Sequence, residues 1–214
     1  MKKIELEDPK VNTSFVEGWI MEDENLCEEM IEFFESNKDK HKEGVSFSGL
    51  NKEIKDSIDL PILPKEINNE NYLPIRNYLK HLDKCYKEYA TKYELNKHFK
   101  ELHIGPFNLQ KYNKGGHFKS MHSERMGMSS SSRLFAWMTY LNDVNDGGET
   151  EFYFYKMKIK PKKGLTLIWP SEWTHMDRGS VTEEIKYIIT GWMHFPDEYD
   201  DDRNISFSRW NKGV

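Results

Sequence analysis

The chain has 214 residues, a formal net charge of −5, an isoelectric point of about 5.9 and 37% hydrophobic residues. This size predicts one domain with a sizeable core, because longer chains bury a larger fraction of their apolar surface. The sequence has no long apolar run, no apolar stretch after its N-terminal lysines and no concentration of basic residues. We therefore expect neither a membrane nor a nucleic acid as a partner.

In the first half of the chain, helical periodicity alternates with irregular stretches. We predict a strand over 13–20, a helix over 24–37 and a second helix over about 70–93, where apolar residues recur on one helical face. Between the helices, the prolines of 60–64 predict neither a regular helix nor a regular strand. Both helices would cover a core that other elements build.

Both cysteines, Cys27 and Cys85, fall within the predicted helices. Two packed thiols are therefore a better interpretation than a disulfide bond. This use of cysteine favours a reducing compartment, and we expect a cytoplasmic protein.

From about residue 104 the pattern changes to short β-branched and aromatic runs broken by Gly, Asn, Asp and Pro. This pattern is typical of an antiparallel β fold, and about eight strands in roughly ninety residues suit a jelly roll. The predicted fold class is mainly β with flanking α, in a single domain where 1–103 supports the core, 104–196 forms it and 197–214 is an acidic tail. The candidate strands are 107–113, 133–141, 149–155, 156–160, 164–169 and 185–195.

A histidine and a glutamate separated by one residue form the first candidate site. His122 and Glu124 lie two apart on an extended segment, so one metal ion can reach both side chains. Alone, such a pair is more often a surface feature. His175 follows a strand and a turn, and a jelly roll can bring that strand end back beside the pair. Two imidazoles and one carboxylate hold Fe(II) on one face and leave the other face open.

The other histidines are weaker candidates for the metal. His117 lies five residues before His122, so it would point to the opposite face of a regular strand, and no carboxylate stands two positions after it. The remaining histidines have no partners at useful spacing, and we interpret them as solvated or structural.

A lysine on the last strand is the second candidate site. Lys186, Thr190 and Trp192 share one face of the predicted strand. A buried lysine is costly unless an anion meets it, which favours a socket for a small dianionic co-substrate, although a strand-edge lysine that reaches solvent is an equal interpretation of this segment alone. Tyr112 and Tyr140 by themselves are most simply core aromatics.

Taken together, five segments carry a family resemblance: 112–124, 134–144, 147–152, 173–179 and 186–192. In this order they resemble the prolyl 4-hydroxylase-like Fe(II)/2-oxoglutarate-dependent dioxygenases, and in particular the short single-domain members that marine bacteriophages encode. The resemblance spans about residues 105–195.

The resemblance implies a double-stranded β-helix in which His122, Glu124 and His175 hold iron and also form the catalytic centre. It implies that Lys186 binds the distal carboxylate of 2-oxoglutarate, with help from hydroxyls of Tyr112, Tyr140 or Thr190, and that Trp192 lines the pocket. Fe(II), 2-oxoglutarate and O2 are then required, with ascorbate as a reductant. The product side is succinate and CO2, together with a hydroxylated C–H bond, most simply that of a peptidyl proline.

Several features depart from the wider family or stand outside the implied site. Glu124 replaces the more common aspartate, and Lys186 replaces the arginine of some relatives, which exchanges a bidentate fork for a point charge. The segment 125–132 is rich in Ser, Met and Gly and is interpreted either as a mobile lip or as an ordinary loop. Arg178 is a candidate substrate contact, or else a solvated turn residue.

Two other classes of function stay open. One is a non-catalytic jelly-roll module with a phage structural or host-interaction role, and the other is a cupin-like metalloenzyme that does not use 2-oxoglutarate. We expect the prime substrate to be a proline-containing protein or peptide, or else a small molecule. Both stay open because fold does not settle function. The oligomeric state is not predicted, and a phage-encoded protein would work in the host cytoplasm.

Overall fold

The computed structural model describes residues 13–99, 101–196 and 205–206. Within these residues the chain forms two α-helices, α1 (Glu24–Ser36) and α2 (Leu73–Lys92), and fourteen β-strands. The strands are β1 (Glu17–Ile20), β2 (Lys42–Glu43), β3 (Lys55–Asp56), β4 (Ile58–Ile62), β5 (His103–Ile104), β6 (Phe107–Tyr112), β7 (His117–His122), β8 (Arg133–Tyr140), β9 (Thr150–Phe152), β10 (Met157–Ile159), β11 (Leu165–Pro170), β12 (Asp177–Gly179), β13 (Lys186–His194) and β14 (Ile205–Ser206).

The strands form two antiparallel sheets. The larger sheet has the order β1-β11-β8-β13-β6-β4-β2, with β5 paired to β13 and β14 paired to β5, and the smaller has the order β10-β9-β12-β7-β3. A hydrophobic cluster joins Ala136, Met138 and Ile188 of the large sheet to Phe152 of the small one. This packing of two sheets confirms the predicted fold class, mainly β with flanking helices.

The two helices cover the outer face of the large sheet. Asp23 caps α1 by accepting a hydrogen bond from the backbone N–H of Asn25, and Pro74 stands in the first turn of α2, where no N–H is needed. The apolar faces of both helices share one core with large-sheet residues such as Leu109, Trp137 and Ile189. The sheet that carries the candidate lysine therefore has a rigid backing.

A chain of buried polar groups runs through this core and fixes α2 on the sheet. The Tyr78 hydroxyl lies 2.8 Å from Thr139 Oγ1, which lies 2.7 Å from Thr166 Oγ1, and His81 Nε2 lies 2.9 Å from the same Thr166 oxygen. Because buried hydroxyls without partners are costly, sliding α2 along β8 and β11 would be opposed. His81 is therefore structural.

Tyr78→Phe is expected to lower the free energy of unfolding by about 1–2 kcal/mol, because it deletes one buried hydrogen bond and leaves Thr139 with one partner fewer. Urea denaturation followed by circular dichroism measures the change. Tyr153→Phe, at a tyrosine that is 62% exposed, is the matched control and should stay near the wild-type value. Equal losses of stability in the two variants would contradict the role given to the buried hydrogen bond between Tyr78 and Thr139.

The predicted helices and most predicted strands agree with the structure within a few residues, but the prediction for 60–64 is wrong in part. Ile58–Ile62 forms β4, with Pro61 inside it. The neighbouring β2 pairs only with Ile58 and Asp59, so Pro61 lies where the outer edge of β4 has no partner strand. Proline within a sheet is largely confined to such edge positions, which is why the strand tolerates it.

The first half of the chain does more than support the core. β3 joins the small sheet, while β1, β2 and β4 join the large one. The predicted tail 197–214 lies outside the described residues except for β14. Cys27 and Cys85 are buried, reduced thiols, as predicted. In the part of the chain that the structure describes, no helix has the length and apolar character needed to cross a membrane.

Candidate active site

A cavity of about 570 Å³ opens between the two sheets. From the large sheet its wall includes Tyr112, Lys186 and Trp192, and from the small sheet it includes His122 and Asp177. A concave cavity of this size in which polar side chains converge is typical of a small-molecule or active site.

Three metal-binding side chains meet in this cavity: those of His122, Glu124 and Asp177. Each offers one ligand atom, and the three atoms all lie within 4.8 Å of one another. His122 ends β7, Glu124 follows two residues later, and Asp177 begins β12, directly opposite His122 in the antiparallel ladder. Directly opposite residues have their Cβ atoms roughly 5 Å apart, so the sheet itself brings Asp177 to the predicted pair.

Backbone and ring contacts orient His122. Its Nδ1 lies 2.9 Å from the Ser120 carbonyl oxygen, and its ring stacks on Phe118 with centroids 3.9 Å apart. Because a carbonyl oxygen only accepts, Nδ1 carries the proton that is donated there. Nε2 is then left toward Glu124, whose Oε1 is 3.6 Å away. An imidazole held in this way presents Nε2 as a metal ligand.

Two large side chains hold Glu124. Trp192 Nε1 donates a hydrogen bond of 2.7 Å to Glu124 Oε2, and the Arg133 guanidinium lies 3.6 Å from the centre of the Trp192 ring. Arg133 also donates to the Glu124 carbonyl oxygen at 2.9 Å. Trp192 therefore contacts the predicted ligand directly, beyond lining the pocket.

The cluster has strongly altered protonation because it is buried. Burial lowers the pKa of His122, but Asp177 and Glu124 outweigh it and raise that pKa to about 9. Burial, with the help of Glu124, raises the pKa of Asp177 to about 7, although His122 opposes this. Burial also raises the pKa of Glu124, yet hydrogen bonds from His122 and Trp192 keep it below its ordinary value. Two carboxylates crowded in a dry site favour a bound cation.

The structure does not bring His175 into this group, which corrects the predicted ligand set. His175 ends a short 3₁₀ turn before β12, and its Nε2 lies 2.7 Å from the Ser14 carbonyl oxygen and 3.3 Å from the Tyr155 hydroxyl. Its Nδ1 lies 2.9 Å from Thr174 Oγ1. Both ring nitrogens are thus occupied. The residue opposite His122 in the ladder is Asp177, two positions later.

Lys186 lies on the same cavity wall and is 3% exposed. Its Nζ donates to the Gly148 carbonyl oxygen at 3.0 Å and lies 4.6 Å from the centre of the Tyr112 ring. Burial lowers its pKa to about 8, although Glu149 opposes the shift. Among the described residues, no carboxylate lies within ion-pair distance of this ammonium, so it remains available to an anion that enters the cavity.

A hydrogen-bonded chain fixes the polar groups beside Lys186. Lys55 Nζ donates to Asp59 at 2.7 Å, and Gln110 Nε2 donates to the same carboxylate at 3.1 Å. The other end of that amide, Gln110 Oε1, accepts a hydrogen bond of 2.8 Å from the Tyr112 hydroxyl. All four residues line the cavity. Lys55 is neutralised by Asp59, in contrast to Lys186.

The remaining predicted site residues lie in different places. Thr190 lines the cavity and donates to the Trp137 carbonyl oxygen at 2.9 Å, whereas Tyr140 is fully buried and its hydroxyl lies 2.5 Å from Thr150 Oγ1. Tyr140 is not part of the cavity wall as described. Arg178 is not part of it either, because its guanidinium pairs with Glu151 Oε2 at 2.8 Å on the neighbouring strand β9.

The segment 125–132 forms one rim of the cavity. It contains a 3₁₀ turn at Met128–Ser130, and Arg125 anchors it by donating to the Arg133 carbonyl oxygen at 2.8 Å and by pairing with Glu172. Met128 is 90% exposed. Movement of this segment as a lip stays a prediction.

Asp177 is the important residue that the sequence interpretation missed. A signal for it was present, since a carboxylate two residues past a candidate ligand has the spacing that lets alternate strand residues share a face. Arg133 and the contact between Trp192 and Glu124 were also missed, and they had no comparable local signal.

Comparison with known sequences gives a family match and a curated relative. Residues 107–194 match the family described as the 2OG-Fe(II) oxygenase superfamily. The chain is also 30% identical over 123 residues to the probable prolyl 4-hydroxylase 9 of Arabidopsis thaliana. That match covers 45% of this chain and 43% of the plant protein, so the chain spans less than half the length of this relative.

Solved structures show the same fold. A prolyl-4-hydroxylase of Pseudomonas putida superposes with a TM-score of 0.67 at 16% identity, covering 86% of this chain and 94% of that one. A Trichoplax adhaerens prolyl hydroxylase, crystallised with a hypoxia inducible factor peptide, gives 0.67 at 14% identity over 85% and 84%. The viral collagen prolyl hydroxylase of Paramecium Bursaria Chlorella virus-1, in its 2OG complex, gives 0.61 at 17% over 86% and 97%.

These similarities confirm the resemblance to prolyl 4-hydroxylase-like 2OG-Fe(II) oxygenases that the sequence predicted, and they confirm the double-stranded β-helix. The narrower likeness to bacteriophage members stays a prediction.

Proposed function

We propose that this chain, whose residues 107–194 match the 2OG-Fe(II) oxygenase superfamily, is an Fe(II)- and 2-oxoglutarate-dependent dioxygenase that hydroxylates an unactivated C–H bond. One observation carries the proposal. A single cavity holds both a buried group of ligand atoms that fits a divalent cation and a buried ammonium that no carboxylate neutralises among the described residues. These are the two sites that the reaction needs.

The residues fit both cofactors. His122 and Glu124 would hold the cation together with Asp177, whose Oδ1 is buried and has no hydrogen-bond partner among the described residues. Lys186 would meet the distal carboxylate of 2-oxoglutarate from the facing wall. With O2, the bound iron and 2-oxoglutarate would supply the oxidation, in which one oxygen atom enters the product and the co-substrate leaves as succinate and CO2.

The protein itself positions the groups that would hold the cofactors. Trp192 and Arg133 fix Glu124, the Ser120 carbonyl oxygen fixes the tautomer of His122, and the two sheets enclose the site. Positioning of this kind is the main way in which a protein assists cofactor chemistry.

A peptidyl proline is the proposed substrate, because the plant relative and the solved structures carry prolyl hydroxylase names. Ascorbate is proposed as the reductant that keeps iron in its ferrous state. Mass spectrometry of a host lysate treated with wild-type chain and with Glu124→Ala would find the substrate as an oxygen addition that only the wild type produces.

The activity is tested by incubating the purified chain with Fe(II), ascorbate and 2-oxoglutarate, with and without proline-containing peptides, and by measuring succinate. The wild type is expected to form succinate, and Glu124→Ala should fall to the background of iron alone because it loses a metal ligand. Equal succinate from both proteins would overturn the proposal and favour a non-catalytic binding module.

A further inference from the structure

The position of Asp177 in the sheet determines what kind of metal centre the cavity can form. Asp177 lies opposite His122 on one side and opposite Phe152 on the other, so strands on both sides hold its backbone. Its side chain lines the cavity beside His122 and Glu124. The backbone pairing therefore makes the third member of the cluster a carboxylate.

The side chain of Asp177 is incompletely satisfied without a ligand. The residue is 6% exposed, and its Oδ1 is buried without a hydrogen-bond partner among the described residues. A buried carboxylate oxygen with no partner is costly, and such groups in native proteins generally serve a ligand or a reaction. The charged groups that face it are His122 and Glu124, and Glu124 cannot stabilise a second negative charge.

The alternative third ligand, His175, is occupied elsewhere. Its Nε2 and Nδ1 contact the Ser14 carbonyl oxygen and Thr174 Oγ1, at 2.7 and 2.9 Å. Acting as a ligand would require His175 to give up one of these two contacts and to move away from the partner that makes it.

We propose that Asp177 is the third protein ligand, so that the cation is held by one imidazole nitrogen and two carboxylate oxygens, and that this set favours Mn²⁺ over Co²⁺ compared with a set of two imidazoles and one carboxylate. Carboxylates suit manganese, whereas imidazoles suit the later transition metals. This inference rests on the proposed function and replaces the ligand set that the family resemblance implies.

Replacing one imidazole ligand by a carboxylate also alters the net charge of the metal-loaded site. Two carboxylates cancel both charges of a divalent cation, whereas one carboxylate with two neutral imidazoles leaves one positive charge. A dianionic co-substrate would meet less positive charge at the metal, so the affinity for it would depend more strongly on Lys186. Asp177→His should accordingly tighten 2-oxoglutarate binding as well as change the metal preference.

The experiment uses the full chain, loaded with metal alone, without 2-oxoglutarate. Calorimetric titrations with Mn²⁺ and with Co²⁺ compare the wild type with Asp177→Ala, Asp177→His and His175→Gln. Asp177→Ala is expected to weaken Mn²⁺ binding about tenfold or more, since changes near metal ligands already cost about that much. His175→Gln should bind like the wild type, and Asp177→His should shift the ratio of affinities toward Co²⁺.

Pulsed electron paramagnetic resonance of the vanadyl-loaded proteins counts the coordinated imidazoles. One is expected in the wild type and in His175→Gln, and two in Asp177→His. Two imidazoles in the wild type that fall to one in His175→Gln would overturn the proposal, as would wild-type Mn²⁺ affinity in Asp177→Ala.

Thermal melting keeps the test valid if a variant folds poorly. Asp177→Ala removes a buried carboxylate that has one unpartnered oxygen and a hydrogen bond with Trp169, so the metal-free chain should melt close to the wild type, while the rise in Tm on adding Mn²⁺ should be lost. A purely structural Asp177 would give the opposite pair of results. These measurements need no turnover, so the two proposals can fail separately. Metal binding as expected, but without succinate formation, would refute only the proposed function. Succinate formation with His175 as a metal ligand would refute only this inference.

Discussion

Lys186→Ala is expected to raise the Kd of 2-oxoglutarate by roughly 30-fold or more. Removing one partner of a buried charge pair costs about 2 kcal/mol or more, which corresponds to that factor. The large effect follows from the burial of Lys186 and from the lack of a carboxylate at ion-pair distance among the described residues. Calorimetry with the Mn²⁺-loaded protein measures Kd without turnover.

Lys119→Ala is the matched control, because Lys119 lies on β7, is exposed and pairs with Glu53. Binding should also weaken as the pH rises through about 8 in the wild type, because burial lowers the pKa of Lys186 to that value and the neutral amine attracts the co-substrate less. Lys186→Ala should lack this pH dependence. Unchanged activity in Lys186→Ala would favour a cupin-like enzyme that does not use 2-oxoglutarate.

Gly147→Ala is expected to lower the free energy of unfolding by about 3 kcal/mol or more, because it combines backbone strain with a steric clash. Gly147 has a φ of +73°, and an added Cβ would lie 2.2 Å from the Val181 carbonyl oxygen. The next residue, Gly148, supplies the carbonyl oxygen that Lys186 contacts, so the same change should also weaken co-substrate binding. Urea denaturation and calorimetry measure the two effects.

Gly115→Ala separates the two causes. Gly115 has a φ of +84°, but an added Cβ would meet nothing within 4 Å. This control should therefore show only the cost of the backbone conformation, about 1–2 kcal/mol. If both variants lose the same stability, the contact between the added Cβ and the Val181 carbonyl oxygen contributes nothing to the loss at Gly147.

Local patterns in the sequence were sufficient for the elements that depend on local periodicity. The apolar face of 70–93 predicted α2, and the alternating runs after 104 predicted most of the β-strands. The strands β7 and β12 were not among the candidate strands, since each depends on pairing with partners that are distant in the chain. These are the two strands that carry His122 and Asp177.

The wrong placement of His175 beside His122 has the same origin. His175 and Asp177 are two residues apart, and only the register of β12 against β7 decides which of them lies opposite His122. Register is set by contacts across the sheet and is not visible in a single sequence. The prediction of His122 with Glu124 needed no such information, because their spacing along one segment was sufficient.

The polarity of the Tyr112 hydroxyl follows from its neighbours. The Asp59 carboxylate only accepts hydrogen bonds, so the Gln110 amide turns its Nε2 toward Asp59. Its Oε1 then accepts the hydrogen bond that the Tyr112 hydroxyl donates. The Tyr112 hydroxyl therefore offers an incoming molecule only a lone pair, so it does not donate to the distal carboxylate of 2-oxoglutarate as the resemblance implied. The Lys186 ammonium attracts negatively charged oxygens, whereas the oxygen of Tyr112 can accept hydrogen bonds from N–H or O–H groups. Lys186 and Tyr112, which are neighbours on one cavity wall, would thus contact chemically different groups of a bound molecule and fix its orientation in the cavity.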